Sequence, residues 1–133
     1  MFVLHLATAP RYQRPADGIT SYLLASPRTS QAQHLVTTYV VLQPGGRQQR
    51  HSHAAEQVYF ILAGQGRMTV GDETQTVQAG DCIFIPGGAP HGLVNTGAQA
   101  LHYFSAAAPP FSAEALRTAW PLPGEADEPP ASP

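Results

Sequence analysis

Two histidines separated by one residue, His51 and His53, are the first side chains of this chain whose spacing could do chemistry. On an extended strand alternate side chains point to the same face, so this spacing directs two imidazoles toward one point. Imidazole nitrogens are ligands for divalent transition metals, and a metal site needs several of them to converge. The pair therefore predicts a metal centre whose further ligands come from elsewhere in the chain.

Two segments of the chain carry histidines among glycines and prolines at fixed offsets. Gly45–Gly64 contains His51 and His53, and Gly80–Asn95 contains His91. The first segment follows the pattern G-x5-H-x-H-x3,4-E-x6-G except at its glutamate, and the second follows G-x5-P-x-G-x2-H-x3-N in full. Together they resemble the two motifs of a small single-domain cupin, and the resemblance covers residues 18–106. It implies an all-β, cupin-type jelly-roll β-barrel with a metal site in the barrel's mouth, and the residues after the barrel add one short C-terminal helix.

The resemblance carries the metal ligands over to His51, His53 and His91, with Gln57 at the position of the motif's glutamate. An amide oxygen can bind a metal but brings no charge, so the site should hold metal less tightly and act as a stronger Lewis acid for anions. Three alternatives remain open. Gln57 could be a wall residue beside a three-histidine site, Glu56 could reach the metal through a local bulge, or the barrel could be metal-free.

Strand parity from the ligands predicts which side chains line the substrate pocket. The predicted lining is Gln49, Tyr59, Ile61, Met68, Phe84, Leu93 and Phe104. No strong general base stands beside the ligands in the sequence, so Tyr59 and His102 are the candidate catalytic residues. Cys82 lies in an apolar strand and is predicted to be buried.

The expected function is a metal-dependent enzyme acting on a small anionic or enolisable organic substrate with one divalent ion, Fe, Zn, Mn, Ni or Cu. Cupins of this size include dioxygenases, isomerases, lyases and cyclases. Iron would permit oxygen chemistry, whereas zinc would favour isomerisation or cyclisation. The alternative is a non-catalytic cupin that binds or senses a small molecule. A stand-alone transcription regulator would need a helix-turn-helix region, and a storage-type protein would not need so complete a metal set.

Composition excludes other function classes. The chain has 133 residues, a net charge of −2 and seven basic residues, all arginine. The absence of lysine excludes Schiff-base chemistry, and the small charge gives no reason to expect nucleic acid or membrane as a partner. One cysteine permits no intrachain disulfide. The apolar N-terminus lacks the basic start of a signal peptide, so a cytoplasmic location is expected.

Short runs of β-branched and aromatic residues between glycines and prolines divide the chain. We predict an N-terminal arm at 1–17 with a loop at Pro10–Pro15, a barrel at 18–108, a short helix at 109–120 and a disordered tail, rich in proline and acid, at 121–133. Ser112 is the predicted N-cap of the helix. The resemblance also implies a homodimer, in which the apolar segment Met1–Ala7 could be exchanged between copies.

Overall fold

The computed structural model describes residues 1–122 as ten strands, two short 3₁₀ turns and one α-helix. Eleven of the thirteen residues of the predicted disordered tail lie outside the described residues. The strands are β1 (Arg11–Arg14), β2 (Ile19–Leu23), β3 (Val36–Leu42), β4 (Arg47–His51), β5 (Glu56–Ala63), β6 (Gln65–Val70), β7 (Glu73–Gln78), β8 (Cys82–Ile85), β9 (His91–Asn95) and β10 (Leu101–Ala108). The 3₁₀ turns are Leu6–Thr8 and Pro15–Asp17, and the helix α1 is Ala113–Ala119.

The strands form two antiparallel sheets that enclose a common core. The large sheet has the order β1-β2-β3-β10-β5-β8, and the small sheet has the order β4-β9-β6-β7. Chain neighbours β4 and β5 lie in different sheets, so the first histidine segment connects the two walls of the barrel. This architecture confirms the predicted all-β jelly-roll with one short helix.

Alternating burial along the strands fixes which residues face the interior. On β10 the buried residues are Leu101, Tyr103, Ser105 and Ala107, while their neighbours are more exposed. Each fully buried aliphatic side chain stabilises the fold by about 1.5–3 kcal/mol, and a shift of register by one residue would turn the whole set outward. The largest fully buried aliphatic side chains of the described core are Leu23, Val36, Leu42, Ile61, Ile85, Leu93, Leu101 and Leu116.

The N-terminal arm differs from the prediction, because the expected loop at Pro10–Pro15 contains the strand β1. This strand pairs antiparallel with β2 of the same chain, in the register Arg11↔Tyr22. Its prolines stand just outside the paired residues, where they remove no ladder hydrogen bond, as is usual for an edge strand. Tyr12 is buried with its ring 6.3 Å from that of Trp120. Exchange of the apolar segment before β1 with a second copy stays a prediction.

The C-terminal helix covers the barrel interior beside β2. As predicted, Ser112 caps the helix, and its hydroxyl accepts the backbone N–H of Ala115 at 3.1 Å. Leu116 and Trp120 are buried, and the indole N–H of Trp120 donates to the carbonyl of Ser21 at 3.1 Å. Among residues 1–122, neither this helix nor the short turns have the length and apolar character required to span a bilayer.

Candidate metal centre

His51 and His91 lie directly opposite each other on two neighbouring strands of the small sheet. β4 ends at His51 and β9 begins at His91, and the pairing of the two strands places these residues in register. Opposed residues of an antiparallel pair share a face, with Cβ atoms about 5 Å apart. The two imidazole centroids are 4.4 Å apart, so both rings enter the same space between the sheets.

His53 lies two residues beyond the end of β4 and is held by contact with the second glycine-rich segment. The N–H of Gly88 donates to the carbonyl of His53 at 2.8 Å. Gly87 packs so closely that a Cβ at this position would lie 2.5 Å from the carbonyl oxygen of Ala54, which explains the glycine. The His53 ring is then 4.9 Å from that of His91, and the ligand nitrogens of the three histidines lie within 4.8 Å of one another.

A backbone carbonyl orients each imidazole. The bonds run from Nδ1 of His51 to Gln49 (2.9 Å), from Nδ1 of His53 to Ala55 (3.1 Å) and from Nδ1 of His91 to Ala89 (2.9 Å). A carbonyl can only accept, so each Nδ1 carries a proton, and Nε2 of a neutral ring keeps its lone pair for a metal. This is the arrangement that fixes the tautomer of metal-binding histidines.

A buried polar atom without a partner shows that the cluster fits a metal ion. Nε2 of His91 is buried and makes no hydrogen bond, and such an atom costs about 1–3 kcal/mol. The pKa of His91 is lowered to about 4, mainly by burial and also by the neighbouring imidazoles, while the bond to Ala89 opposes the shift. Burial also lowers the pKa of His51. These two rings are therefore neutral at neutral pH and available as ligands.

Gln57 directs its amide oxygen into the histidine cluster. Its Nε2 donates to the hydroxyl of Ser105 at 3.3 Å, and that hydroxyl lies 2.6 Å from the hydroxyl of Thr38. Oε1 of Gln57 consequently lies 3.0 Å from Nε2 of His53, so that two acceptors face each other. Ligands about 2.1 Å from one ion and at right angles would be about 3.0 Å apart, so a cation bound to both would remove this repulsion.

The alternative ligand Glu56 lies on the opposite side of β5. It is exposed, and β5 continues past it in regular register with β10, as Glu56↔Ala108 and Gln57↔Ala107. No bulge turns the Glu56 carboxylate inward. The geometry therefore favours Gln57 over Glu56 as the fourth group near the histidines.

Two stacked tyrosines border the cluster inside the barrel. The rings of Tyr59 and Tyr103 lie 4.3 Å apart, and the Tyr59 ring is edge-on to that of His91 at 6.0 Å. Burial raises the pKa of both phenols above the ordinary value. Tyr59 is therefore a hydrogen-bond donor and not a base. A cavity of about 30 Å³ beside Tyr59, His51 and Gln57 has room for a water molecule or two.

The structure corrects the position of Gln49. Simple alternation places it on the face of His51, but the register of β4 against β9 shifts between Gln48 and His51. This irregularity gives the inner position to Gln48, which lines the cavity. Gln49 is exposed and donates from its amide to the buried carboxylate of Asp17 at 2.8 Å. Because Arg47 also bonds to Asp17, at 3.2 Å, these contacts anchor β4 to the turn at Pro15–Asp17.

Two candidates from β10 and two residues of β8 point away from the interior. His102 and Phe104 lie on the outer face of the large sheet, where Nδ1 of His102 is 2.7 Å from the hydroxyl of Tyr39. Phe84 is 56% exposed and lines a cleft between β7 and β8 instead of the histidine site, and Cys82, predicted to be buried, is exposed as well. β8 is an edge strand whose outer side has no covering element among the described residues. His102 thus points away from the cluster and is not oriented to serve as its base.

The remaining predicted wall residues face inward. Tyr59 borders the cluster, Ile61 and Leu93 are fully buried in the core, and Met68 is a buried residue between the sheets. Sequence reasoning missed Tyr103 and Ser105, which hold the inner positions assigned to their neighbour Phe104. Counting alternate residues from the strand's first apolar residue, Leu101, would have identified both.

Comparison with known proteins agrees with this architecture. The family described as the cupin domain matches residues 38–106, more than half of the chain. An uncharacterised protein of Methanocaldococcus jannaschii is 40% identical over 65 residues, which are 48% of this chain. The match spans 52% of that relative, so this chain spans about half of its length.

Solved structures add two similar folds. The polyketide cyclase RemF from Streptomyces resistomycificus has a TM-score of 0.68 and 26% identity, covering 81% of this chain and 79% of its own. A protein of Thermotoga maritima described as a predicted oxalate decarboxylase has a TM-score of 0.70 and 21% identity, covering 80% and 98%. The second likeness shows the fold alone.

Proposed function

Since the chain belongs to the cupin family, we propose that it is a metal-dependent enzyme acting on a small anionic or enolisable organic substrate. The observation that carries the proposal is the convergence of three imidazoles within 4.8 Å, one of them with a buried and unpartnered Nε2. A structural barrel gains no stability from leaving such an atom unpaired. The cluster is better explained by a ligand that completes it.

His51, His53 and His91 would hold one divalent ion, Fe, Zn, Mn, Ni or Cu, and Gln57 would add its amide oxygen. Such an ion supplies a Lewis acid that stabilises an oxyanion or enolate oxygen of the substrate. All four protein groups are neutral, so none of them offsets the ion's charge, and anionic substrates are favoured. Imidazole and amide ligands suit several transition metals and do not select one.

Proton transfer in the interior would depend on Tyr59. Its phenol stays protonated because burial raises its pKa, so it can donate to an oxygen of the substrate. No carboxylate lines the interior cavity formed by the described residues, which leaves a base to the substrate or to solvent. Among dioxygenase, isomerase, lyase and cyclase chemistry, the similarity to the cyclase RemF favours isomerisation or cyclisation of an enolisable carbonyl compound.

The test is proton exchange at the acidic carbon of acetylacetone, followed by NMR in D₂O together with oxygen uptake. Bound metal is first removed from the protein, each divalent metal is then added back in turn, and the metal content of the protein is measured by elemental analysis. We expect faster exchange with loaded protein than with stripped protein and with His91→Ala. Oxygen consumption with iron would indicate dioxygenase chemistry instead. Failure to retain any metal after reloading would refute the proposal.

A non-catalytic binding cupin is the second candidate, and the absence of a carboxylate from the interior cavity of the described residues favours it. It would bind small carboxylates or diketones in the loaded form without accelerating exchange.

A homodimer is expected from the family resemblance, and light scattering would test it. A monomer at micromolar concentration would contradict that expectation.

A further inference from the structure

A cleft opens between the two sheets where the edge strand β7 faces the edge strand β8. Its volume is about 390 Å³, within the range of small-molecule sites, and its walls include the buried side chains of Met68 and Val77. Polar side chains stand at its rim, among them Glu73 and Gln75. The interior cavity beside Gln57 is only about 30 Å³, so the cleft offers far more room for a ligand.

Both walls of this cleft end beside the histidine cluster. In the small sheet one row of opposed residues runs His51–His91–Val70–Glu73 across four strands. In the large sheet Ile85 pairs with Gln57, and Pro86, the next residue, lines the cleft. Val70 and Pro86 are thus the cleft residues next to the cluster, and a ligand that reached from the histidines past them would enter the cleft.

Glu73 places a carboxylate in the same row as the histidines. It shares their face of the sheet, because its neighbour Thr74 bonds to Thr69 on the opposite face. Two strand spacings separate it from His91, which is about 10 Å between Cα atoms. Within residues 1–122, no hydrogen bond or ion pair engages its carboxylate.

Asp81 is the other acidic residue at the cleft, but it already has a structural role. Its carboxylate accepts the backbone N–H of Gln78 at 2.8 Å and closes the turn before β8. The cleft thus has one uncommitted negative charge, that of Glu73, two strands away from His91 in the same row. A second space, beside His53 and Phe111, has no charged lining residue and could not distinguish ligands by charge.

Building on the proposed function, we propose that the cleft holds the part of the substrate remote from the metal and that Glu73 selects a cationic group there. The substrate class is a small zwitterionic acid. Its anionic oxygen binds at the histidine cluster, its short aliphatic chain contacts Val70 and Met68, and its ammonium or similar cation pairs with Glu73. The positive ion at one end and the carboxylate at the other make the site complementary to such a molecule.

The test uses two probes of matched shape, 5-aminopentanoate and pentanoate, on the Co²⁺-loaded protein. Co²⁺ binding is titrated first by visible absorption, and probe affinity is then measured by calorimetry and by the change in the Co²⁺ spectrum. We expect wild type to prefer the aminated probe by about fivefold, the scale of a partly exposed ion pair. Glu73→Gln should abolish this preference and leave Co²⁺ affinity unchanged.

Asp72→Asn is the matched control, because Asp72 is exposed in the same turn and does not line the cleft. It removes the same charge and should keep the preference for 5-aminopentanoate over pentanoate. That result would show that the ammonium pairs with Glu73 and does not respond only to the overall negative charge of the turn. Equal affinity of the two probes for wild type, or an unchanged preference in Glu73→Gln, would overturn the inference and leave the metal centre standing. Absence of Co²⁺ binding would overturn both the inference and the proposed function.

Discussion

The three histidines and Gln57 reach the same space, but the protein orients them by different means. Each imidazole bonds to a backbone carbonyl no more than two residues away, at 2.9–3.1 Å. Gln57 instead depends on two hydroxyls from other strands, Ser105 and Thr38. Local backbone contacts form with the turn itself, whereas a side-chain network requires the whole barrel. The orientation of the three histidines is therefore set locally, whereas the orientation of Gln57 depends on the assembled barrel.

Removing a histidine should have the largest effect. His91→Ala deletes the buried Nε2, and we expect metal affinity to fall at least about 100-fold, since even outer-shell partners contribute 10–100-fold. His102→Ala is the matched control, because His102 lies on the outer face of β10. Titration with Zn²⁺ against a chromogenic chelator measures both. Equal affinity of His91→Ala and wild type would disprove the site.

Restoring the family's carboxylate should have the next largest effect. Gln57→Glu places a charge beside the ion, and we expect metal affinity to rise about tenfold or more while carboxylate probes bind more weakly. Glu56→Gln changes the charge of the adjacent, outward residue and should alter neither quantity. A loss of metal affinity in Glu56→Gln would revive the alternative in which Glu56 is the ligand.

Weakening the support of Gln57 should have a smaller effect. Ser105→Ala removes the acceptor of the amide N–H, so the amide can rotate, and metal affinity should fall by about threefold to tenfold. The unpaired buried groups should also lower the free energy of unfolding by about 1–3 kcal/mol. Thr76→Ala, on the exposed side of β7, is the control for both measurements. Unchanged metal affinity in Ser105→Ala would show that Gln57 does not bind the metal.

The smallest effect concerns pH in the metal-free protein. The folded pKa of His91 is about 4 and that of His51 is also lowered, whereas unfolded histidine titrates near 6.5. The unfolded chain therefore binds more protons between these values, and stability falls as pH drops from about 6.5 toward 4. Urea unfolding at several pH values should show a shallower dependence for His91→Ala. A steeper dependence in that variant would contradict the assignment.

The sequence predicted the cluster well because motif spacing, strand alternation and ligand chemistry all agree at His51, His53 and His91. It failed where backbone irregularity decides orientation. The register shift after Gln48 exchanges that residue with Gln49, and no local signal marks it. Polar partners were also missed, since Ser105 has meaning only once β10 lies beside β5 and β3. Cys82 was predicted to be buried because its strand is apolar. It is exposed because β8 lies at the edge of the large sheet, and composition does not reveal which strand is at an edge.

The segment after β10 lies beyond the family's matched residues 38–106, yet it contributes to the site's enclosure. The Phe111 ring is 5.0 Å from that of His53, and Trp120 lines the interior cavity. A fragment trimmed to the conserved domain would lose this cover and expose buried aromatic surface, so it should aggregate on purification. Transplanting this C-terminal segment onto a related barrel would be a direct way to reshape which molecules reach its histidines.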